Sequence, residues 1–216
     1  MTDLFATTDE SQPAREQLGE GSVLLRGSVG DDEAALLADL RTVIKAAPFR
    51  HLITPGGHTM SVAMTNCGRV GWVSDARGYR YDPVDPDSGQ NWPAMPPSLQ
   101  NLAARAAAEG GYPGFMPDAC LINRYKPGAK LSLHQDKDEL DLGAPIVSVS
   151  LGLPATFLFG GLTRSAPTRR YRLTHGDVVV WGGPSRLAYH GVAPLPDGVH
   201  PVMGAQRINL TFRKTR

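Results

Sequence analysis

The sequence predicts a mainly β protein with flanking helices, an α+β arrangement around a double-stranded β-helix (jelly roll) core. Three observations predict it. From Pro117 onward the chain breaks into eight short apolar runs separated by turn residues. Upstream, only two segments carry helical periodicity. Gly (24) and Pro (18) are abundant and fall between the runs, which marks turns rather than long helices.

Residues 1–20 are expected to be loosely ordered. Residues 21–116 read as an N-terminal extension with two helices and a lid, and 117–216 as the β core, within one structural domain. Gly21 to Val29 reads as a strand. Asp31 or Asp32 can cap a helix through Ala46, with Leu36, Leu37, Leu40, Val43 and Ile44 on its apolar stripe and Pro48 as its stop. Short strands follow at Thr59–Thr65, Gly71–Val73 and Tyr79–Tyr81. A Pro/Asp/Gly loop then leads to a second helix, Pro97–Ala108, closed by Gly110-Gly111. The eight core strands fall near 118–125, 130–135, 145–153, 155–159, 170–174, 177–181, 186–191 and 206–213.

Composition bounds the function. With 41% hydrophobic and 20% charged residues, the 216-residue chain can bury a sizeable core. A net charge of +1 confines any polyanion-binding surface to a local patch. Cys67 and Cys120 have no metal-type spacing and fit structural thiols in a reducing cytoplasm. Neither a signal peptide nor a membrane span is expected.

Two features carry chemistry. On an extended chain His134 and Asp136 share a face, and His190 from another strand can join them. Two imidazoles and one carboxylate suit non-haem iron, with positions left for a 2-oxo acid and dioxygen. Six His and fifteen Asp would give roughly 0.4 such pairs by chance. Indeed His175-Gly176-Asp177 is a second one, and both pairs stay open, as does a polar strand end at the surface. The second feature is the last strand. Ile208, Leu210 and Phe212 alternate with Arg207, Asn209, Thr211 and Arg213. Alone, this reads as an amphipathic strand with its polar face in water. With the iron ligands, the two arginines suit a carboxylate clamp.

Several blocks together resemble one family. Asn123-Arg124-Tyr125, His134-Gln135-Asp136-Lys137-Asp138-Glu139, Tyr189-His190-Gly191 and the segment from Arg207 to Arg213 resemble the AlkB family of alkylation-repair dioxygenases. The run from Thr54 to Gly68 is similar to the lid of its bacterial members. The resemblance implies Fe(II), 2-oxoglutarate and O2, and removal of methyl groups from bases as formaldehyde. Its substrates would be 1-methyladenine and 3-methylcytosine in single-stranded DNA, and also RNA, handled by a monomer. It implies His134, Asp136 and His190 as iron ligands, and Asn123, Tyr125, Arg207, Asn209 and Arg213 around 2-oxoglutarate. Arg207 would take the metal-proximal carboxylate and Arg213 the distal one. Trp72 would stack on a flipped base against His134, with Tyr79, Arg80, Tyr81, Asp138 and Arg164 as further substrate contacts. His58 departs from the phenol of bacterial relatives, and Gly204-Ala205-Gln206 also differs.

Read without the resemblance, Trp72 suits core packing, and Asp138 a solvated charge. Arg164, Arg169, Arg170 and Arg172 suit a solvated hairpin as well as they suit phosphate contacts. A 2-oxoglutarate hydroxylase of a protein or small molecule, and a catalytically silent jelly roll, are the competing functions.

Overall fold

A computed structural model describes residues 14–216. It opens with a hairpin, β1 (Arg15–Gly19) and β2 (Ser22–Leu25), where the sequence suggested one strand over 21–29. Glu20-Gly21 forms the turn, and Gly21 has φ 72°. The expected loose N-terminus is therefore a strand from Arg15 on, and residues 1–13 lie outside the described residues. Helix α1 (Glu33–Ala46) buries Leu36, Leu37, Leu40 and Val43 as expected. Asp32 sits at its N-cap but makes no side-chain cap bond. Its carboxylate instead accepts from Arg105 on α2 (Pro97–Glu109) at 2.5 Å, tying the two helices together.

Between the helices lie β3 (Arg50–Ile53), β4 (Thr59–Gly68), β5 (Gly71–Asp75) and β6 (Gly78–Asp82). The core follows: β7 (Ala119–Tyr125), β8 (Leu131–His134), β9 (Ile146–Gly152), β10 (Ala155–Phe159), β11 (Arg169–Leu173), β12 (Val178–Trp181), β13 (His190–Val192) and β14 (Arg207–Arg213). Four core strands join a major sheet and four form a minor one. The major sheet runs β1-β2-β12-β9-β14-β7-β4-β3, and the minor one β11-β10-β13-β8. This is the expected double-stranded β-helix. N-terminal strands extend both edges of the major sheet, so residues before and after 116 share it.

The layers follow from strand alternation. Ile208, Leu210 and Phe212 pack outward under the helices with Leu36, Leu40, Leu99 and Ala103. Phe157, Phe159, Tyr171 and Trp181 fill the space between the sheets. At the end of α2, a Cβ on Gly110 would lie 2.8 Å from Val180 Cγ1, so only glycine lets the helix end meet β12. The functional cleft opens at one end of the inter-sheet layer.

Asp177 locks the other end. Its buried carboxylate accepts from the backbone N–H groups of Gly27 and Thr174 and from the Thr174 hydroxyl, and pairs with Arg26 at 2.9 Å. His175 Nδ1 accepts from the Gly152 N–H, and its ring stacks on His200. These bonds occupy the second His-x-Asp pair structurally. Asp177→Ala is expected to lower unfolding free energy by about 3 kcal/mol in urea titration, because it strands buried donors and a cation. Iron affinity of the folded variant should be unchanged.

Candidate active site

His134 ends β8 and stands directly opposite His190 on β13. Asp136 follows in irregular chain, not on the strand as the i, i+2 argument assumed. It is placed instead by bonds. Arg186 donates to its backbone carbonyl (2.6 Å) and Arg213 to its carboxylate (2.7 and 3.0 Å). The three groups converge: Asp136 oxygens lie 3.6 Å from His134 Nε2 and 3.8 Å from His190 Nε2. One ligand atom from each lies within 4.8 Å of the other two.

The tautomers suit a metal. His134 Nδ1 sits 2.9 Å from the Ser132 carbonyl, and His190 Nδ1 3.0 Å from that of Ala188. A carbonyl only accepts, so each Nδ1 carries the proton and each Nε2 presents a lone pair. Burial lowers His134, but the Asp136 carboxylate beside it raises it on balance, an attraction that a metal ion would replace. The other two groups are already in the ligating state. Burial, helped by the neighbouring His134, pushes His190 down to about 4, so the imidazole stays neutral. Burial would raise Asp136, but Arg213 and the two histidines hold it well below the usual carboxylate range.

Every polar residue of β14 faces this site, and all are buried. The polar face is thus not in water. Arg213 lies between Asp136 and Glu139, 3.3 Å from the latter. Arg207 is 1% exposed, lies over the Tyr125 ring at 5.0 Å and donates to Ser150 Oγ at 2.9 Å. No carboxylate meets it among the described residues, and its Nε and Nη1 have no acceptor. Asn123 Oδ1, nearby on β7, is also unpartnered. A buried guanidinium with idle donors fits the far carboxylate of a 2-oxo diacid, and the His-Asp-His set fits its metal.

A cleft of about 650 Å³ collects these groups. It is lined by Trp72, Tyr79, Tyr81, Asp138 and Arg164, together with the metal triad, Asn123, Tyr125, Arg207, Asn209 and Arg213. Trp72 stacks on Tyr79 with ring centroids 5.4 Å apart, and its indole N–H donates to Asp138 Oδ2 at 2.8 Å. Arg164 donates to the Leu133 carbonyl and lies over the Tyr189 ring. Arg80 is the exception: it does not line the cleft, and pairs with Asp75 and Asp82 inside the β5–β6 hairpin. His58 is exposed and also absent from the lining.

Sequence reasoning missed Glu139 and Arg186. Glu139 is buried, accepts from Tyr81 Oη at 2.5 Å and from Arg186 at 2.9 Å, and so links the β5–β6 hairpin to the metal segment. In the sequence it sits in a Lys-Asp-Glu run that reads as solvated charge.

Comparison with known proteins accords with this geometry. The profile of the 2OG-Fe(II) oxygenase superfamily matches residues 21–213. The chain belongs to that superfamily. Fe(II), 2-oxoglutarate and O2 are accordingly its metal, cosubstrate and oxidant, and it is a dioxygenase. It is 59% identical over 214 residues to the alpha-ketoglutarate-dependent dioxygenase AlkB of Escherichia coli, covering 99% of this chain and 98% of that one. The AlkB homolog of Caulobacter vibrioides is 47% identical over 185 residues, covering 85% and 82%. Among solved structures, OsALKBH1 superposes with a TM-score of 0.80 at 29% identity, covering 93% of this chain and 99% of that one.

Alanine at His134, Asp136 or His190 should abolish tight metal binding, followed as Co(II) absorbance under nitrogen, while Asp177→Ala retains it.

Proposed function

We propose that the chain oxidatively demethylates N-alkylated bases of the 1-methyladenine and 3-methylcytosine type in single-stranded DNA, with RNA as a second substrate. The observation that carries this reading is the pairing of a His-Asp-His metal triad with Trp72 and Asp138 in the lining of one cleft. The near-full-length similarity to bacterial AlkB proteins supports it, as does the similarity to the nucleic acid dioxygenase ALKBH1 of mouse. Two buried thiols, Cys67 and Cys120, support a reducing, cytoplasmic setting. Among the described residues no helix is long and apolar enough to cross a membrane.

The residues divide the work. Arg207 takes the distal carboxylate of 2-oxoglutarate, because two of its donors are idle and it faces no carboxylate among the described residues, whereas Arg213 has one idle donor and two carboxylate partners. Arg213 supports the metal-proximal end, because it already rests on Asp136. This reverses the order expected from the sequence. A base inside a duplex cannot reach the floor of the cleft, so the substrate is single-stranded or flipped. Trp72 offers it a stacking face, worth about 1–3 kcal/mol. One Asp138 oxygen is held by Trp72, and the other is left for a cationic base. The bound iron and 2-oxoglutarate supply the oxidation of the N-alkyl carbon by dioxygen, which frees it as an aldehyde.

Formaldehyde release from methylated oligonucleotides tests the reading. Arg207→Ala should raise the half-saturating 2-oxoglutarate concentration roughly a hundredfold, with lysine rescuing only partly. Asp138→Ala should cost about tenfold on cationic lesions and less on neutral 1-methylguanine or 3-methylthymine. Turnover of 2-oxoglutarate with no oligonucleotide demethylated would instead favour a hydroxylase of another substrate.

A further inference from the structure

The net charge of +1 hides two segments of opposite sign. Residues 142–216 hold nine Lys/Arg against two Asp/Glu, whereas residues 1–141 hold thirteen against nineteen. Such asymmetry points to a polyanion. Three of the nine, Arg186, Arg207 and Arg213, are buried in the site. Three more, Arg169, Arg170 and Arg172, are exposed on β11.

Among the described residues, strand β11 is the edge of the minor sheet and pairs only with β10. None of the four strands of that sheet contains an Asp or Glu. Tyr171 and Leu173 point inward to the core, so Arg170 and Arg172 stand on the outer face. Opposite them on β10 are Leu158 and Thr156, both uncharged. Two cations about 6.8 Å apart on one strand face repel each other unless an anion covers them. Some exposed arginines elsewhere have carboxylate partners, Arg77 with Asp75 and Arg105 with Asp32, whereas Arg41 and Arg69 have none among the described residues. The β11 arginines have no ion pair among the described residues.

The row also starts at the cleft. Arg169 is opposite Phe159, which in turn is opposite His190. Arg164, from the β10–β11 loop, lines the cleft itself. The cations therefore lead from the mouth along β11, away from the metal.

We propose that the outer face of β11 is a phosphate-binding track, with Arg170 and Arg172 each holding a backbone phosphate of the strand that flanks the target base. This rests on the nucleic-acid reading above and adds a second, remote contact to it. The track reads no base and adds affinity that grows with strand length and falls with salt.

The test is binding of fluorescent single-stranded oligonucleotides to the full chain by anisotropy, across a salt series. Arg170→Gln/Arg172→Gln should lower the slope of log affinity against log salt by about 1.4, from about 0.7 per phosphate released. The paired lysine substitutions should keep the slope, and so should Arg41→Gln/Lys45→Gln, which removes the same charge from exposed positions on α1. On a methylated trinucleotide, too short to reach β11, demethylation by the Gln pair should match wild type, while a longer strand should lose affinity. An unchanged slope in the Gln pair, or an equal loss in the α1 control, overturns the track. If wild type demethylates neither length, it is the nucleic-acid reading that fails.

Discussion

The inward face of β14 sets the terms for the rest of the molecule. Two guanidinium groups leave water on one strand, and a buried cation costs several kcal/mol unless it is paired. Arg213 is paired twice, by Asp136 and Glu139. That pairing fixes the irregular segment after β8 and so brings Asp136 to the two histidines. Glu139 passes the constraint on to Tyr81 and Arg186. Arg207 has only a hydroxyl and an aromatic face. Arg213 faces two carboxylates and keeps one idle donor, Nη1, whereas Arg207 faces no carboxylate among the described residues and keeps two.

The β5–β6 hairpin shows how the aromatic wall of the cleft is held. It forms its own two-stranded sheet and would be marginal alone. Asn66 clamps the Trp72 backbone through both amide atoms, and Ser74 Oγ donates to the Ile53 carbonyl. Asp75 gathers Arg77 and Arg80, which hold its carboxyl below the ordinary range. Arg80 therefore stiffens the hairpin, and Trp72, Tyr79 and Tyr81 reach the cleft from it. The family resemblance implied a substrate contact for Arg80, but its carboxylate partners keep it inside the hairpin.

Much of this was legible in the sequence. Alternation over 207–213 located β14, and His-x-Asp spacing offered two candidate pairs, between which the family resemblance chose His134 and Asp136, with His190. Both signals are local and periodic. What stayed hidden depends on distant partners. Alternation separates two faces but cannot say that both are buried, because that follows from the minor sheet folding over the polar one. It is also symmetric along the strand, so it could not tell which arginine lies at the metal. Glu139 sits among charges that look solvated, and the side chains that enclose it, Tyr81, Arg186 and Arg213, are all distant in sequence. The β1–β2 hairpin was lost because the polar residues before Glu20-Gly21 read as loosely ordered, so the turn reads as the start of a single strand.

The stability of the ligand-free protein tests the central claim most directly. Methionine approximates the arginine stem in volume and carries no charge. If Arg207 is a buried cation awaiting an anion, Arg207→Met should unfold in urea at the same or a higher midpoint than wild type. Arg213→Met should unfold well below it, by roughly 3 kcal/mol, because Asp136 and Glu139 lose their shared partner. Equal destabilisation by the two substitutions would contradict the claim, since it would mean that Arg207 is satisfied by the protein alone.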